Sequence, residues 1–231
     1  MIKRLRGLGI VLALMGLAFV VAGGYAFFKV QEGQASLNAF SAAQGVELTY
    51  NEEGQLIDRG ETAGADAIMA LLADEWGYPV VHGELDPADP MVNTASEYMY
   101  QMATIAYHTL HGSTTVVLPE DVEYNGEVFA AGEYEFVNDG RYWVDFDREH
   151  PIEGAARGQI WSGTAHALIG ELGVGTVTAQ ALQLGLALAG LFAGLGAALI
   201  VTGGGLVWAT RGAEQETKVA VREPQTAGTP A

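Results

Sequence analysis

The sequence predicts an α+β protein, in which two antiparallel transmembrane helices bracket an extracytoplasmic domain of several helices and a small antiparallel β-sheet. Two apolar segments, residues 8–28 and 184–209, carry no charged side chain. Each meets the minimum of roughly 18–20 apolar residues that a helix needs to cross a bilayer core. The roughly 150 residues between them are enough to bury a core, and their hydrophobic period alternates between helical and strand spacing.

Basic residues at both ends of the chain predict its orientation. Three precede the first span, residues 8–28, and three follow the second, so the positive-inside rule puts both termini in the cytoplasm. The protein is then expected in the plasma membrane, with residues 1–7 as a cytoplasmic N-terminus. These basic residues are Lys3, Arg4, Arg6, Arg211, Lys218 and Arg222. A cleaved signal peptide is the alternative, but its apolar core would exceed the usual length of about 7–15 residues.

The first half of the middle region predicts helices. The first span is expected to continue as a helix to Gln44 and to be followed by a short hairpin. Apolar residues at i, i+3, i+4 and i+8 predict a helix over residues 62–76. Another helix is predicted over residues 90–111, with Asp89 as its N-cap and Pro90 in its first turn.

The second half of the middle region predicts strands and then a return to helix. Over residues 114–146 the period changes to two, and turn signals of the Asn-Gly type predict an antiparallel sheet of three to five strands. Residues 152–171 return to helical spacing and lead into the second transmembrane segment, residues 179–209. The polar residues 210–231 are predicted to form a disordered cytoplasmic tail.

The predicted extracytoplasmic domain, residues 29–178, is strongly acidic. Residues 30–178 hold 25 Asp and Glu against four Arg, a formal net charge of −21, while the whole chain has −17. Such a surface repels phosphates and attracts cations or basic partners, so nucleic acid is not an expected partner. A saline habitat would favour the same surface and is the alternative explanation. The chain has no cysteine, which excludes disulfides, thiolate nucleophiles and Cys-ligated metals.

Two groups of side chains are weak candidates for a metal site. His108 and His111, with a carboxylate such as Glu97, have the ligand types of a zinc or non-haem iron site. An acidic segment has oxygen ligands that suit calcium but lacks the glycine-bearing EF-hand loop. Its members are Asp145, Asp147, Glu149 and His150. The alternatives are histidines that end a helix and a solvated turn in which Asp147 or His150 caps the next helix. No cofactor is expected, and no nucleophile elbow or phosphate-binding loop is present.

Small residues recur every seven positions in both predicted spans. Helices with such faces pack closely, with a left-handed crossing, so the two spans are expected to pair with each other. Self-association or a partner helix would use the groove left over. The first span has Gly9, Gly16 and Gly23; the second has Gly190, Ala197 and Gly204, with Gly194 completing a close-approach motif, and also Ala189, Gly196 and Gly203. Neither span has a charge, so an ion pathway is not expected.

The order of segments resembles a known layout. A glycine-punctuated first span, the β-prone residues 45–50, a Tyr–Phe–Asp–Pro element in residues 142–151, a helix and a Gly/Ala-rich second span follow one another. This order resembles small actinobacterial two-span membrane proteins of unknown function, often labelled aromatic ring-opening dioxygenase LigA. The resemblance covers about half of the chain and implies the two-span topology, with residues 114–146 as an insertion. The dioxygenase label would require an iron site, and the sequence offers no convincing ligand set for one.

The leading functional prediction is a non-enzymatic integral membrane accessory or scaffold protein. It would present the acidic domain to a partner or stabilise a membrane complex. The prediction depends on the lack of a catalytic constellation, on the small-residue helix faces and on the acidic surface. The expected partners are the lipid bilayer and a membrane protein or a second copy of the chain. The alternatives are a cation- or ligand-binding membrane sensor and a metal-dependent enzyme that uses His108 and His111.

Overall fold

A computed structural model describes residues 2–222 of the chain, which form two compact units. The described parts of Met1–Ala35 and Ala181–Ala231 form one unit, here called the helix pair. Ser36–Gln180 form the other, here called the central domain. The fold is α+β as predicted, with five α-helices and small antiparallel sheets among the described residues.

Two long helices carry the apolar segments. α1 spans Ile2–Gln44 and includes the predicted continuation beyond residue 28. α5 spans Gly163–Arg222, and both helices are long and apolar enough to cross a membrane. α5 includes residues 210–222 of the predicted disordered tail, since residues 213–218 are mostly strong helix formers. Residues 223–231 lie outside the described residues.

Three shorter helices build the central domain. α2, Thr62–Ala70, continues into one π-helical turn, Leu71–Glu75, and together they cover all but the last residue of the predicted helix of residues 62–76. α3 spans Ala95–Leu110, and a 3₁₀ turn, His82–Glu84, precedes it. α4 spans Glu153–Ile160.

The starts of α3 and α5 differ from the prediction for local reasons. α3 begins after Thr94 and not at Pro90, because Thr94 and Glu97 form a capping box that satisfies two backbone amides. Asp89 is therefore not its N-cap. The predicted helix of residues 152–171 is divided between α4 and α5, because Ser162 Oγ accepts a hydrogen bond from Ala165 N at 3.2 Å and starts a new helix.

The strands form two separate two-stranded sheets and not one larger sheet. β1, Ser113–Leu118, pairs antiparallel with β4, Gly132–Val137, while β2, Val122–Tyr124, pairs with β3, Glu127–Phe129. Asn125 and Gly126 turn β2 into β3 with φ of 52° and 82°, the left-handed values that a type I′ turn needs.

Residues 141–146 alternate like a strand but do not form one. Asn138 N donates to Gly112 O at 2.9 Å, and Gly140 N donates to Leu110 O at 2.9 Å. These two hydrogen bonds direct the chain across the end of α3, away from the β1–β4 sheet. The tertiary contacts therefore override the strand pattern.

The core of the central domain lies between the helices and the β1–β4 sheet. The inward side chains of each strand alternate with exposed ones such as Val117 and Val137. The buried residues of this core are Leu71, Ala106, Leu110, Val116, Leu118, Phe136, Phe146, Ala156 and Trp161. Residues 36–44 of α1 and 163–180 of α5 also belong to the central domain and are called the α1 stalk and the α5 stalk.

Candidate functional site

The helix pair has a contact face in which the backbones of α1 and α5 come close together. Three glycines of α1 meet three small residues of α5, and each step of seven residues along α1 is a step of seven backwards along α5. The helices are therefore antiparallel in one register, as the spacing predicts for the pairing. The pairs are Gly9 with Gly203, Gly16 with Gly196, and Gly23 with Ala189.

These glycines have no room for a side chain. A Cβ atom on Gly16 would lie 2.5 Å from Gly196 O and 2.8 Å from Ile200 N. A Cβ atom on Gly23 would lie 2.8 Å from Ala189 O. Because the obstructing atoms belong to the backbone, they cannot move aside as a flexible side chain would.

The other small-residue series of α5 is not part of this contact. A Cβ atom on Gly190, Gly194 or Gly204 would meet nothing within 4 Å, and Ala197 is exposed. The α1 glycines thus contact the series that begins with Ala189, whose members each precede a member of the Gly190 series by one residue. The second series remains an open face of α5 within the described residues.

The two histidines of the first metal candidate point to different partners. His108 Nε2 donates to Asp58 Oδ1 at 2.9 Å, which ties the turn after residue 57 to α3. His111 Nδ1 donates to Tyr107 O at 2.9 Å, at the end of the same helix. Glu97 lies in the capping box, so these three side chains do not converge.

The acidic segment of the second metal candidate is used in local hydrogen bonds. Asp147 accepts from the Tyr124 hydroxyl at 2.5 Å, and this bond, more than any other cause, lowers the pKa of Asp147. Asp145 Oδ2 accepts from Tyr142 N at 2.9 Å. His150 Nδ1 accepts from Ile152 N and from the next amide, both at 3.2 Å, so it caps the start of α4. Glu149 is exposed.

Across residues 2–211, whose side chains the structure describes, no group of three or more His, Asp or Glu side chains is placed to hold a metal ion. This applies to both candidate groups.

Glu97 is the most deeply buried carboxylate of the central domain, with 2% of its surface exposed. Its Oε2 accepts from Asn93 N at 3.0 Å and from Thr94 N at 2.8 Å. Burial raises the pKa of Glu97, against the opposing effect of these two hydrogen bonds. In the sequence, the spacing Thr94-x-x-Glu97 is that of a capping box. The prediction of Asp89 as the N-cap did not take this spacing into account.

Glu97 is expected to make stability depend on pH. The pKa of Glu97 is higher in the native state than in the unfolded state. Its contribution to the free energy of unfolding is therefore fully present below the unfolded-state pKa, near 4.3, and is lost as pH rises through the native-state pKa. Wild type should therefore lose free energy of unfolding relative to Glu97→Gln as pH rises from about 4 to 8. Glutamine keeps an acceptor for Asn93 N and Thr94 N and carries no charge.

Thermal denaturation of both full-length proteins in detergent, across that pH range, measures the difference. Exposed Glu149→Gln is the matched control and should follow the wild-type curve. Parallel curves for wild type and Glu97→Gln would contradict the prediction.

Two of the four arginines of residues 30–178 are structural. Arg141 donates to Glu153 Oε1 at 3.0 Å and to Asn138 O at 3.0 Å, and its guanidinium lies 4.6 Å from the centre of the Phe136 ring. The Arg157 guanidinium lies 3.3 Å from the centre of the Trp143 ring. With 25 carboxylates in the same residues, the acidic surface is left largely without basic neighbours.

Tyr98 of α3 contacts both stalks. Its hydroxyl group and Ser41 Oγ are 2.8 Å apart and share a buried hydrogen bond. Its ring lies against Gly175, where a Cβ atom would be 2.6 Å from Tyr98 Cε1. No periodic or motif signal in the sequence indicates this contact among three helices.

Comparisons of the chain with protein-family models, curated proteins and solved structures found no match.

Proposed function

We propose that the protein is an integral membrane accessory or scaffold protein. The helix pair anchors it in the plasma membrane with both termini in the cytoplasm. The central domain lies on the extracytoplasmic side and presents its acidic surface to a membrane protein partner with a basic surface.

The observation that carries this proposal is the outer surface of the helix pair. Small residues occupy the contact between the helices, whereas large apolar side chains project away from it. Exposed apolar area of this extent is typical of a surface that meets lipid or another protein. The most exposed aliphatic and phenylalanine side chains are Leu14, Val21, Phe28, Leu184, Leu191 and Val201, each with more than 60% of its surface accessible.

The distance between exposed aromatic side chains at the two ends of the helix pair matches the thickness of an ordinary bilayer core. Because Gly203 lies against Gly9, Trp208 is level with Arg4. Tyr25 lies 21 residues further along α1, about 31 Å at ~1.5 Å per residue. Trp208 and Tyr25 are 80% and 66% exposed. Such side chains are enriched at the two interfaces of a hydrocarbon core of about 30 Å.

The charges at the two ends support the orientation. Lys3, Arg4, Arg6 and Arg211 lie near the Trp208 end. At the Tyr25 end, Lys29 Nζ lies 2.6 Å from Glu32 Oε2, so its charge is paired within α1. The excess of positive charge thus favours the Trp208 end as the cytoplasmic one.

Labelling of single cysteines tests the orientation, since the chain has none of its own. Val144→Cys, at a side chain that is 78% exposed in the central domain, should react with a membrane-impermeant maleimide on intact cells. A cysteine added after Ala231 should react only after permeabilisation. The reverse pattern would contradict the proposed topology.

Gentle extraction of the full-length protein from its own membranes, followed by mass spectrometry, tests the partner. A stoichiometric membrane protein should remain bound at low salt and dissociate as salt is raised from about 0.1 to 1 M, where screening becomes strong. Replacing the exposed Glu133 and Glu135 of β4 by glutamine should weaken this complex. Extraction of the protein alone at low salt would overturn the scaffold proposal.

A further inference from the structure

The contacts of Tyr98 join three helices of the central domain. The α1 stalk contributes Ser41, which is 3% exposed, and the α5 stalk contributes the buried Gly175. Tyr98 itself is 6% exposed. All three residues are therefore packed inside the domain, and the tyrosine ring is the element that both stalks share.

The ring of Tyr98 is held at both ends. The hydroxyl group is fixed by its hydrogen bond to Ser41 Oγ. One edge of the ring is fixed by Gly175, since a Cβ atom there would lie between 2.6 and 2.8 Å from three adjacent ring atoms, Cδ1, Cε1 and Cζ. A rigid side chain with contacts at its tip and along one edge transmits displacement, because close-packed interiors deform little.

Tyr100, two residues along α3, provides a contrast. It is also buried, with 4% of its surface exposed, but its hydroxyl group has no hydrogen-bond partner among the described residues. Two buried tyrosines on one helix therefore differ in whether the hydroxyl group is tied to another helix.

We propose that Tyr98 is a coupling joint that fixes the separation of the α1 stalk and the α5 stalk, so that a partner that moves α3 changes this separation. Each stalk is part of an unbroken helix that also contains an apolar, span-length segment. The joint does not depend on the identity of the partner or on the orientation of the chain. It supplies the conformational element that a sensor would need.

The distance between the two stalks measures the joint directly. Ala43→Cys and Val177→Cys lie at exposed positions on the α1 and α5 stalks and take one spin label each in a chain with no other cysteine. Pulsed electron paramagnetic resonance then gives the distribution of distances in the full-length protein. Tyr98→Ala should broaden this distribution. Gly175→Leu should shift it by more than about 1 Å, since ordinary contact between side-chain atoms is about 4 Å.

Two matched variants serve as controls. Gly173→Leu adds the same side chain two residues away, where a Cβ atom meets nothing within 4 Å, and should leave the distribution unchanged. Tyr100→Phe removes a buried hydroxyl without a partner and should also leave it unchanged. A wild-type distribution for both Tyr98→Ala and Gly175→Leu would overturn the proposal, as would an equal shift for Gly173→Leu.

Tyr98→Phe is a smaller change that tests the same contact if Tyr98→Ala and Gly175→Leu prevent folding. It retains the ring and removes only the hydrogen bond to Ser41, so the distribution should broaden and Tm should fall by roughly 2–4 °C. If Tyr98→Phe leaves the distance distribution as narrow as Tyr100→Phe does, the hydroxyl contact does not couple the stalks and the joint is rejected.

Discussion

Replacing Gly16 by leucine is expected to separate α1 from α5 in the helix pair. The new Cβ atom would lie 2.5 Å from Gly196 O and 2.8 Å from Ile200 N, both backbone atoms of α5. Overpacking typically costs about 1–3 kcal/mol. Because two of the three nearest atoms of α5 belong to the backbone and cannot move aside, we expect a loss of helix-pairing free energy at or above the upper end of that range.

Thiol cross-linking measures this separation. The rings of Phe19 and Phe192 have centres 5.7 Å apart across the contact, so a short bismaleimide should join cysteines placed at these two positions in a chain that has no other cysteine. Gly16→Leu should reduce the yield several-fold. Gly24→Leu and Gly194→Leu are matched controls, since a Cβ atom at either site meets nothing within 4 Å. An undiminished yield in Gly16→Leu would contradict the close contact.

Replacing Arg141 by glutamine is expected to give the largest loss of stability in the central domain from a change of charge. The guanidinium group donates to Glu153 Oε1 and to two backbone carbonyl oxygens, of Asn138 and Val137. It also lies over the rings of Phe136 and Phe146. Hydrogen bonds to charged groups and cation–π contacts in a partly exposed site together predict a loss of about 2–3 kcal/mol.

Arg148→Gln is the control, because it makes the same change in net charge at an exposed side chain. Its expected effect is within about 0.5 kcal/mol, as for most surface substitutions. Chemical denaturation in detergent, followed by tryptophan fluorescence, compares the two variants. Equal losses would show that net charge, and not the contacts of Arg141, controls stability.

The pairing of the two long helices was predictable because glycines seven residues apart lie on one face of a helix and allow close approach. Gly9, Gly16 and Gly23 leave one face of α1 without side chains. The sequence did not distinguish which face of α5 they meet, since two adjacent series, those of Ala189 and Gly190, share the same period. Both series offer small residues to a neighbouring helix, so the spacing alone does not make the choice.

The central domain was predictable in class and less so in detail. Alternation correctly located β1 and β4, but it gave the same signal at residues 141–146, where hydrogen bonds from the Asn138–Gly140 turn redirect the chain. Local hydrogen bonding also moved the start of α3 from Pro90 to Thr94. Contacts between residues distant in sequence, such as Ser41 with Tyr98, leave no periodic trace.

The seven-residue repeat of the helix pair also raises the possibility of shifted helix registers, which large residues at one end of the repeat exclude. Sliding α5 by one repeat, about 10.5 Å, would again bring small residues together in most positions. At the end of each series, however, the next position is large, Val30 on α1 and Leu182 on α5. A slip in one direction puts Leu182 opposite Gly23, and a slip in the other puts Val30 opposite Ala189. These two side chains therefore select one alignment from a set that the glycines alone would leave nearly equivalent.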